Sequence, residues 1–261
     1  MIGGMGNHMF QYALYRRFIH EGKECHYEGF STKPWYNGFD LDQIFNIIPN
    51  EVGKEEVEKL TRYQEQTWPT FNPSILEVED TYLCGNWQNI GYFQPILKEL
   101  HDEFTFKNKL DNKNKEILDE IKNTNSVSIH IRRGDYAKNA HYRNYFFDAN
   151  WMNYYGQAVG YIAKNAKNKP VKFFVFSDDI EWCKQNIMIP VTYVENTMEE
   201  AWKDMKLISN CKHNITTNST FSWWAAWLNK NPDKIVTTPK KWFLDKNIDS
   251  NLITLNSWVK I

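Results

Sequence analysis

Ser126-Val-Ser-Ile-His-Ile-Arg-Arg-Gly-Asp-Tyr136 decides how the second half of the chain is read. Val127, Ile129 and Ile131 alternate with Ser128, His130 and Arg132, the period-2 pattern of a half-buried strand. His130 and Arg132 therefore leave one face of that strand, and Gly134 breaks it immediately afterwards. Arginine is scarce: beyond Arg132 and Arg133 the chain holds only Arg16, Arg17, Arg62 and Arg143. A guanidinium is a rigid bidentate fork that suits phosphate and carboxylate, which an ammonium is not. Two of them at a strand end, backed by a Gly-Asp turn, read as an anion site. Taken alone, the spacing fits an edge strand with two surface arginines equally well.

Downstream, strand and helix patterns alternate. A helix is expected over 148–165, a short apolar strand over 172–176 ending at Ser177-Asp178-Asp179, a helix through 186 and a strand over 191–194. Thr197 with Glu200 makes a capping-box signature opening a helix whose stripe is Met198, Ala201, Met205, Ile208 and Cys211. A strand over 214–217, a helix over 221–229 and a last strand over 234–238 follow, before Pro239. The pattern predicts a parallel, doubly wound sheet, in which ligands bind beyond the carboxyl ends of the strands. Three such ends carry polar chemistry: His130/Arg132/Arg133, Ser177-Asp178-Asp179 and Asn218-Ser219-Thr220-Phe221. In the last, hydroxyls and free amides stand at a helix N-terminus, an ordinary way to hold phosphate. Asp204 flanks the buried stripe of its helix; a carboxylate there suits the N–H groups of a guanine edge and suits a lysine equally.

The first half is less regular. Gly3-Gly4-Met5-Gly6-Asn7 reads as a glycine-rich loop, whose backbone N–H groups can approach a phosphate or sugar, ahead of a helix over 8–15. Little sequence precedes that loop, so the strand expected to feed it is nearly absent, as in a trimmed or unusual terminus. Residues 31–95 are rich in Trp, Tyr, Pro and Asn with little period. A short charged helix over 51–60, a strand over 78–83 and helices over 93–110 and 113–123 are expected. Polar Lys122-Asn123-Thr124-Asn125 marks the domain boundary, giving domains 1–122 and 123–261.

With 31 basic and 32 acidic residues the net charge is −1, which argues against nucleic-acid binding over a broad basic surface. Any anionic partner is small and held locally. No run reaches the eighteen apolar residues of a membrane span, and no signal segment opens the chain. Cys25, Cys84, Cys183 and Cys211 lack zinc-site spacing and read as reduced, mostly buried cysteines of a cytosolic protein. Asn214-Ile-Thr216 and Asn218-Ser-Thr220 match glycosylation sequons and are read as accidental. Asp40-Leu41-Asp42 has the spacing of metal-dependent sugar transfer but no third acid or His nearby, so no metal site is expected. Eleven Trp exceed the needs of most cores and suit either packing or stacking on a sugar ring.

As a set, Gly3-Gly-Met-Gly-Asn7-His-Met-Phe-Gln-Tyr-Ala13, His130-Ile-Arg-Arg-Gly-Asp-Tyr136, Phe176-Ser-Asp-Asp179 and Asp204 through Trp224 resemble the α-1,2-fucosyltransferases, glycosyltransferase family eleven. Asn218-Ser-Thr-Phe-Ser-Trp-Trp-Ala-Ala-Trp-Leu228 is especially close, and the resemblance runs in family order to about Phe243. It implies a GT-B fold: two Rossmann-like, doubly wound domains facing across a cleft, acceptor-side first and GDP-fucose-binding second. It implies His130 and Asp204 on guanine, and Arg132 with Ser219, Thr220 and Phe221 around the diphosphate. Gly6 and Asn7 are implied on the donor from the N-terminal side. The family inverts at the anomeric carbon and requires no metal and no cofactor beyond the donor. The acceptor is a β-galactoside, and Asp135 is the candidate base for its 2-hydroxyl. His8 departs from the family, which usually has Gln there. Animal members carry a membrane anchor that this chain lacks, so the expected setting is bacterial and cytoplasmic, with peripheral contact at the inner membrane left open. A transferase of another linkage and a non-catalytic glycan-binding protein are the alternatives, and the oligomeric state is left open.

Overall fold

The computed structural model describes residues 3–28, 41–47, 49–139, 143 and 151–261, except the side chains of Asp135 and Lys138. Its contacts divide the chain into two units, Met1–Asn108 and Lys109–Ile261.

In the first unit α1 (Met5–His20) is followed by α2 (Leu41–Ile44), α3 (Lys54–Val57), β1 (Thr61–Gln64), β2 (Thr81–Cys84) and α4 (Leu97–Glu103). Met9, Phe10, Ala13, Leu14 and Phe18, with His8, Tyr12 and Tyr15, bury α1 on most of its circumference. The Tyr12 phenol donates to Glu103 at 2.9 Å, and Arg16 pairs with the same carboxylate at 2.7 Å. The helix starts at Met5, earlier than expected, so Gly6 and Asn7 lie in its first turn and only Gly3 and Gly4 precede it. Gly3 needs its freedom: its φ is +95°, and a Cβ there would stand 2.0 Å from Asn7 Nδ2. The strand β1 was not anticipated; it pairs in parallel with β2. The expected helix over 93–110 is reduced to α4, because Pro95 lacks an N–H and the chain around it takes 3₁₀ turns at Ile90–Tyr92 and Gln94–Ile96.

The second unit comprises α5 (Asn112–Asn123), β3 (Asn125–Ile131), α6 (Gly134–Lys138), α7 (Trp151–Asn165), β4 (Val171–Ser177), α8 (Ile180–Asn186), β5 (Val191–Val194), α9 (Ala201–Asn210), β6 (His213–Ile215), α10 (Thr220–Trp227), β7 (Val236–Thr238) and β8 (Val259–Lys260). All six strands are parallel, in the order β5-β4-β3-β6-β7-β8. Counted from β3, that is the 3-2-1-4-5-6 order of open nucleotide-binding sheets. The alternation along β3 sorts the two layers, but the strand is neither half-buried nor at an edge: it is central in the sheet, and helices cover its polar face as well as its apolar one. Val127, Ile129 and Ile131 pack with Ala158 and Ile162 of α7, Val175 of β4 and Cys183 of α8. On the other face, Asn214 donates to Ser128 Oγ at 2.8 Å and to the Ile208 carbonyl of α9 at 2.9 Å.

Here α5 packs on α9 and Asp111 pairs with Lys203 at 2.5 Å, so the division falls before α5, ahead of the boundary expected after residue 122. Met205, Ile208 and Cys211 form the buried stripe of α9, but Met198 is 46% exposed in a 3₁₀ turn ahead of it. Both sequon asparagines are buried, which agrees with reading them as accidental. Three of the four free cysteines are buried and Cys25 is half-buried. Among the described residues no helix is long and apolar enough to cross a membrane.

Ile129 is 2% exposed between the two layers. Replacing it with Ala should lower the unfolding free energy by about 3 kcal/mol, read as a shifted urea midpoint with an unchanged slope.

Candidate active site

Strand order reverses between β3 and β6, so the loops leaving their carboxyl ends open a crevice at the switch point. One loop carries His130 through Gly134 and the other Asn218 through Phe221.

A single carboxylate organises the first loop. Asp178, at the end of neighbouring β4, accepts from the backbone N–H groups of Arg133 at 2.8 Å and Gly134 at 3.0 Å. It also pairs with the Arg132 guanidinium at 3.0 Å. The approach is too close for any side chain at residue 134, where a Cβ would stand 2.6 Å from Asp178 Oδ2. Arg133 turns away: its Nε donates to Asp179 at 3.2 Å, and its guanidinium lies 4.2 Å from the Trp182 ring. The two arginines read together in the sequence thus separate, one facing the crevice loop and one holding α8.

Tyrosines tie the strand ends together. Tyr136 donates to the Asn218 carbonyl at 3.2 Å and sets its ring 5.8 Å from Arg132. Tyr155 donates to the His130 carbonyl at 3.1 Å and Tyr154 to that of Thr216 at 2.6 Å.

The His130 ring lies 5.1 Å from the Phe221 ring, and its buried Nδ1 has no hydrogen-bond partner among the described residues. Burial, helped by the Arg132 charge, pushes its pKa down to about 3. The imidazole is therefore neutral, one donor and one acceptor beside an aromatic face. Ser219 caps α10 and Thr220 begins it, placing the positive end of the helix dipole beyond the carboxyl end of β6. Asp204 lies in the first turn of α9, on that same sheet edge, and accepts from Asn196 Nδ2 at 2.7 Å. Burial pushes its pKa up to about 7 against the Asn196 hydrogen bond; Glu200 adds to the rise, and Lys113 and Lys203 oppose it.

His130, Arg132, Ser219, Thr220 and Phe221 thus follow the carboxyl ends of β3 and β6, and Asp204 lies in the first turn of the helix that follows β5. Asn7 and Gly6 belong to the first unit, where Gln88 Nε2 donates to Asn7 Oδ1 at 3.0 Å. The Asp135 side chain and Asp40 lie outside the described residues, and Asp42 accepts from Gln43. The described residues contain no cluster of His, Cys, Asp and Glu able to hold a metal ion. Asp178 stands in one of the three polar strand ends read from sequence and Tyr136 in the quoted Arg-Arg motif, but neither was given a role there, and Tyr155 was not singled out. Asp178 was visible at a polar strand end, but its target, a backbone turn on another strand, leaves no local pattern.

A neutral imidazole, an aromatic face and a carboxylate can hold a base, while a guanidinium and a helix N-terminus hold a diphosphate. The profile of glycosyl transferase family 11 matches residues 57–261 of this chain. The chain belongs to that family, and is a glycosyltransferase. An α-1,2-colitosyltransferase of Escherichia coli is 33% identical over 100% of this chain and 97% of its own length. Galactoside α-(1,2)-fucosyltransferase 1 of Homo sapiens is 29% identical over 72% of this chain and 54% of its own length. The solved α-1,6-fucosyltransferase NodZ, co-crystallized with GDP, matches 85% of this chain and 88% of its own at 14% identity, with a TM-score of 0.52. The shared α/β fold is of the GT-B type.

In this family 11 enzyme Asp178→Ala removes the acceptor of two backbone N–H groups and a carboxylate partner of Arg132. It should cost about 3 kcal/mol in urea unfolding. Folded His130 stays neutral down to about pH 3, whereas the unfolded chain protonates it near pH 6.5. Its contribution to stability is thus intact above 6.5 and declines as pH falls towards 3; His130→Asn should flatten that part of the stability–pH curve.

Proposed function

We propose that this family 11 enzyme transfers L-fucose from GDP-β-L-fucose to the 2-hydroxyl of a terminal β-galactoside, with inversion to an α-1,2 linkage. The observation that carries the reading is the switch point, where the His130 and Phe221 rings, 5.1 Å apart, and the Arg132 guanidinium held by Asp178 stand at the ends of β3 and β6. In this reading the second unit holds the donor: His130, Phe221 and Asp204 take the guanine, and Arg132 with Ser219 and Thr220 takes the diphosphate. The first unit serves the acceptor, and Gly6 and Asn7 keep the donor-side role that the family resemblance gives them.

The chemistry follows from charge. As the bond from the anomeric carbon to the diphosphate breaks, positive charge spreads over the sugar ring and negative charge grows on the leaving group. Arg132, already oriented by Asp178, and the fixed N–H groups of α10 meet that negative charge without reorganising. The acceptor oxygen bonds to the carbon from the opposite face and its proton passes to a base, the role assigned to Asp135. No metal enters this scheme. The relation to the α-1,2-colitosyltransferase supports a second reading in which the sugar moved is colitose and the binding residues are unchanged.

Wild-type enzyme incubated with GDP-fucose and lactose in EDTA should yield a product cleaved by an α-1,2-specific fucosidase. Arg132→Ala should lower kcat by about 10²–10³-fold. Transfer from GDP-colitose in place of GDP-fucose would select the second reading. No transfer from either, with no protection of the protein by GDP, would overturn both.

A further inference from the structure

Asp204 uses one of its two carboxylate oxygens inside the protein. Oδ1 accepts from Asn196 at 2.7 Å, while Oδ2 takes no donor among the described residues. The hydrogen bond to Oδ1 is the end of a longer chain that ties three elements together. Asn196 Nδ2 also donates to Asn114 Oδ1 at 3.0 Å, and Asn114 Nδ2 donates back to Asn196 Oδ1 at 3.0 Å. Asn114 is 1% exposed, and its amide also reaches the two oxygens of Asp111 at 3.1 and 3.0 Å. Asp111 caps α5 by accepting from Asn114 N at 2.9 Å, and Lys203 fixes it from α9 at 2.5 Å.

The bonding leaves no choice of orientation. Both N–H groups of Asn196 are committed, and turning its amide over would set a carbonyl oxygen against the Asp204 carboxylate and against Asn114 Oδ1. The amide therefore pins Oδ1 and leaves Oδ2 without a donor among the described residues. A carboxylate on a flexible side chain reads the paired N–H groups of a guanine edge only if its plane is set in advance.

We propose that Asn196, locked by Asn114, is a positioning residue that orients Asp204 for recognition of a guanine base, and so sets the enzyme's choice of nucleotide. This rests on the GDP-sugar reading above. Lys203, Lys113 and Glu200 are the charged groups that act on Asp204, and burial leaves its charge easily quenched. Fixing the carboxylate by a neutral amide gives direction without adding a counter-ion that would compete with the base.

The test compares binding of GDP and of inosine diphosphate, which lacks the 2-amino group, by wild type and Asn196→Ala. Wild type should prefer GDP. Asn196→Ala should weaken GDP binding roughly tenfold and inosine diphosphate less, so that the preference shrinks; the donor KM should rise with kcat nearly unchanged. A thermal shift with the preference and KM intact would make Asn196 merely structural and overturn the inference. Asn114→Ala, which frees the Asn196 amide without touching Asp204, should shrink the same preference and serves if Asn196→Ala does not fold. A wild type that binds GDP and inosine diphosphate equally would overturn the guanine role of Asp204 itself. A wild type that binds neither would overturn the GDP-sugar reading beneath it.

Discussion

One carboxylate, Asp178, holds the site together. Parallel pairing of β3 with β4 sets Ile131 opposite Ser177, so the residue after each strand meets its neighbour at the same edge. A carboxylate offers about four lone-pair positions, and Asp178 spends three of them on two backbone N–H groups and the Arg132 guanidinium. The turn after β3, the direction of Arg132 and the requirement for glycine at 134 all follow from that contact. Gly134 is there for clearance rather than for freedom of φ.

Around this anchor the site is built by taking charge away. Burial drives His130 towards the neutral form from one side and Asp204 towards it from the other. Charged imidazole beside Arg132 would set two cations against each other, so desolvation and the guanidinium push in the same direction. In the proposed reading, anion binding then falls to Arg132 and the start of α10, and base recognition to groups that carry little charge. Arg133 is withdrawn into an ion pair with Asp179 and a contact with Trp182. Both guanidinium charges of the turn are thus matched by carboxylates at the end of β4, Arg132 by Asp178 and Arg133 by Asp179.

What the sequence made legible was set by how local each interaction is. The β3 strand, its two faces and the residues at its end follow from a period of two within seven residues. The two-residue strand β8 has no period to show, and β1 is exposed on most of its length. The start of α1 was misplaced because glycine at 6 looked like loop, although a helix tolerates it in its first turn. Met198 matched the helical stripe but fell in the 3₁₀ turn that precedes α9. The contacts of Asp178 with the Arg-Arg turn and of Asn196 with Asn114 join residues far apart in the chain, and no spacing rule announces them.

The aromatic surplus has a structural answer in the second unit. Thr220-Phe-Ser-Trp-Trp-Ala-Ala-Trp227 is apolar on nearly every side of α10, which marks a helix buried all round rather than one resting on a surface. Trp223, Trp224 and Trp227 pack on one another, and Trp258 and the Ile253 carbonyl, 2.7 Å from Trp223 Nε1, close the far side. Such packing fixes the helix in place and keeps water from its flanks. A helix end in a low-dielectric surround acts on a diphosphate more strongly than one in water, and it does so without first having to be ordered. These tryptophans therefore act from behind the helix end: by packing on one another and on Trp258 they hold its dipole still.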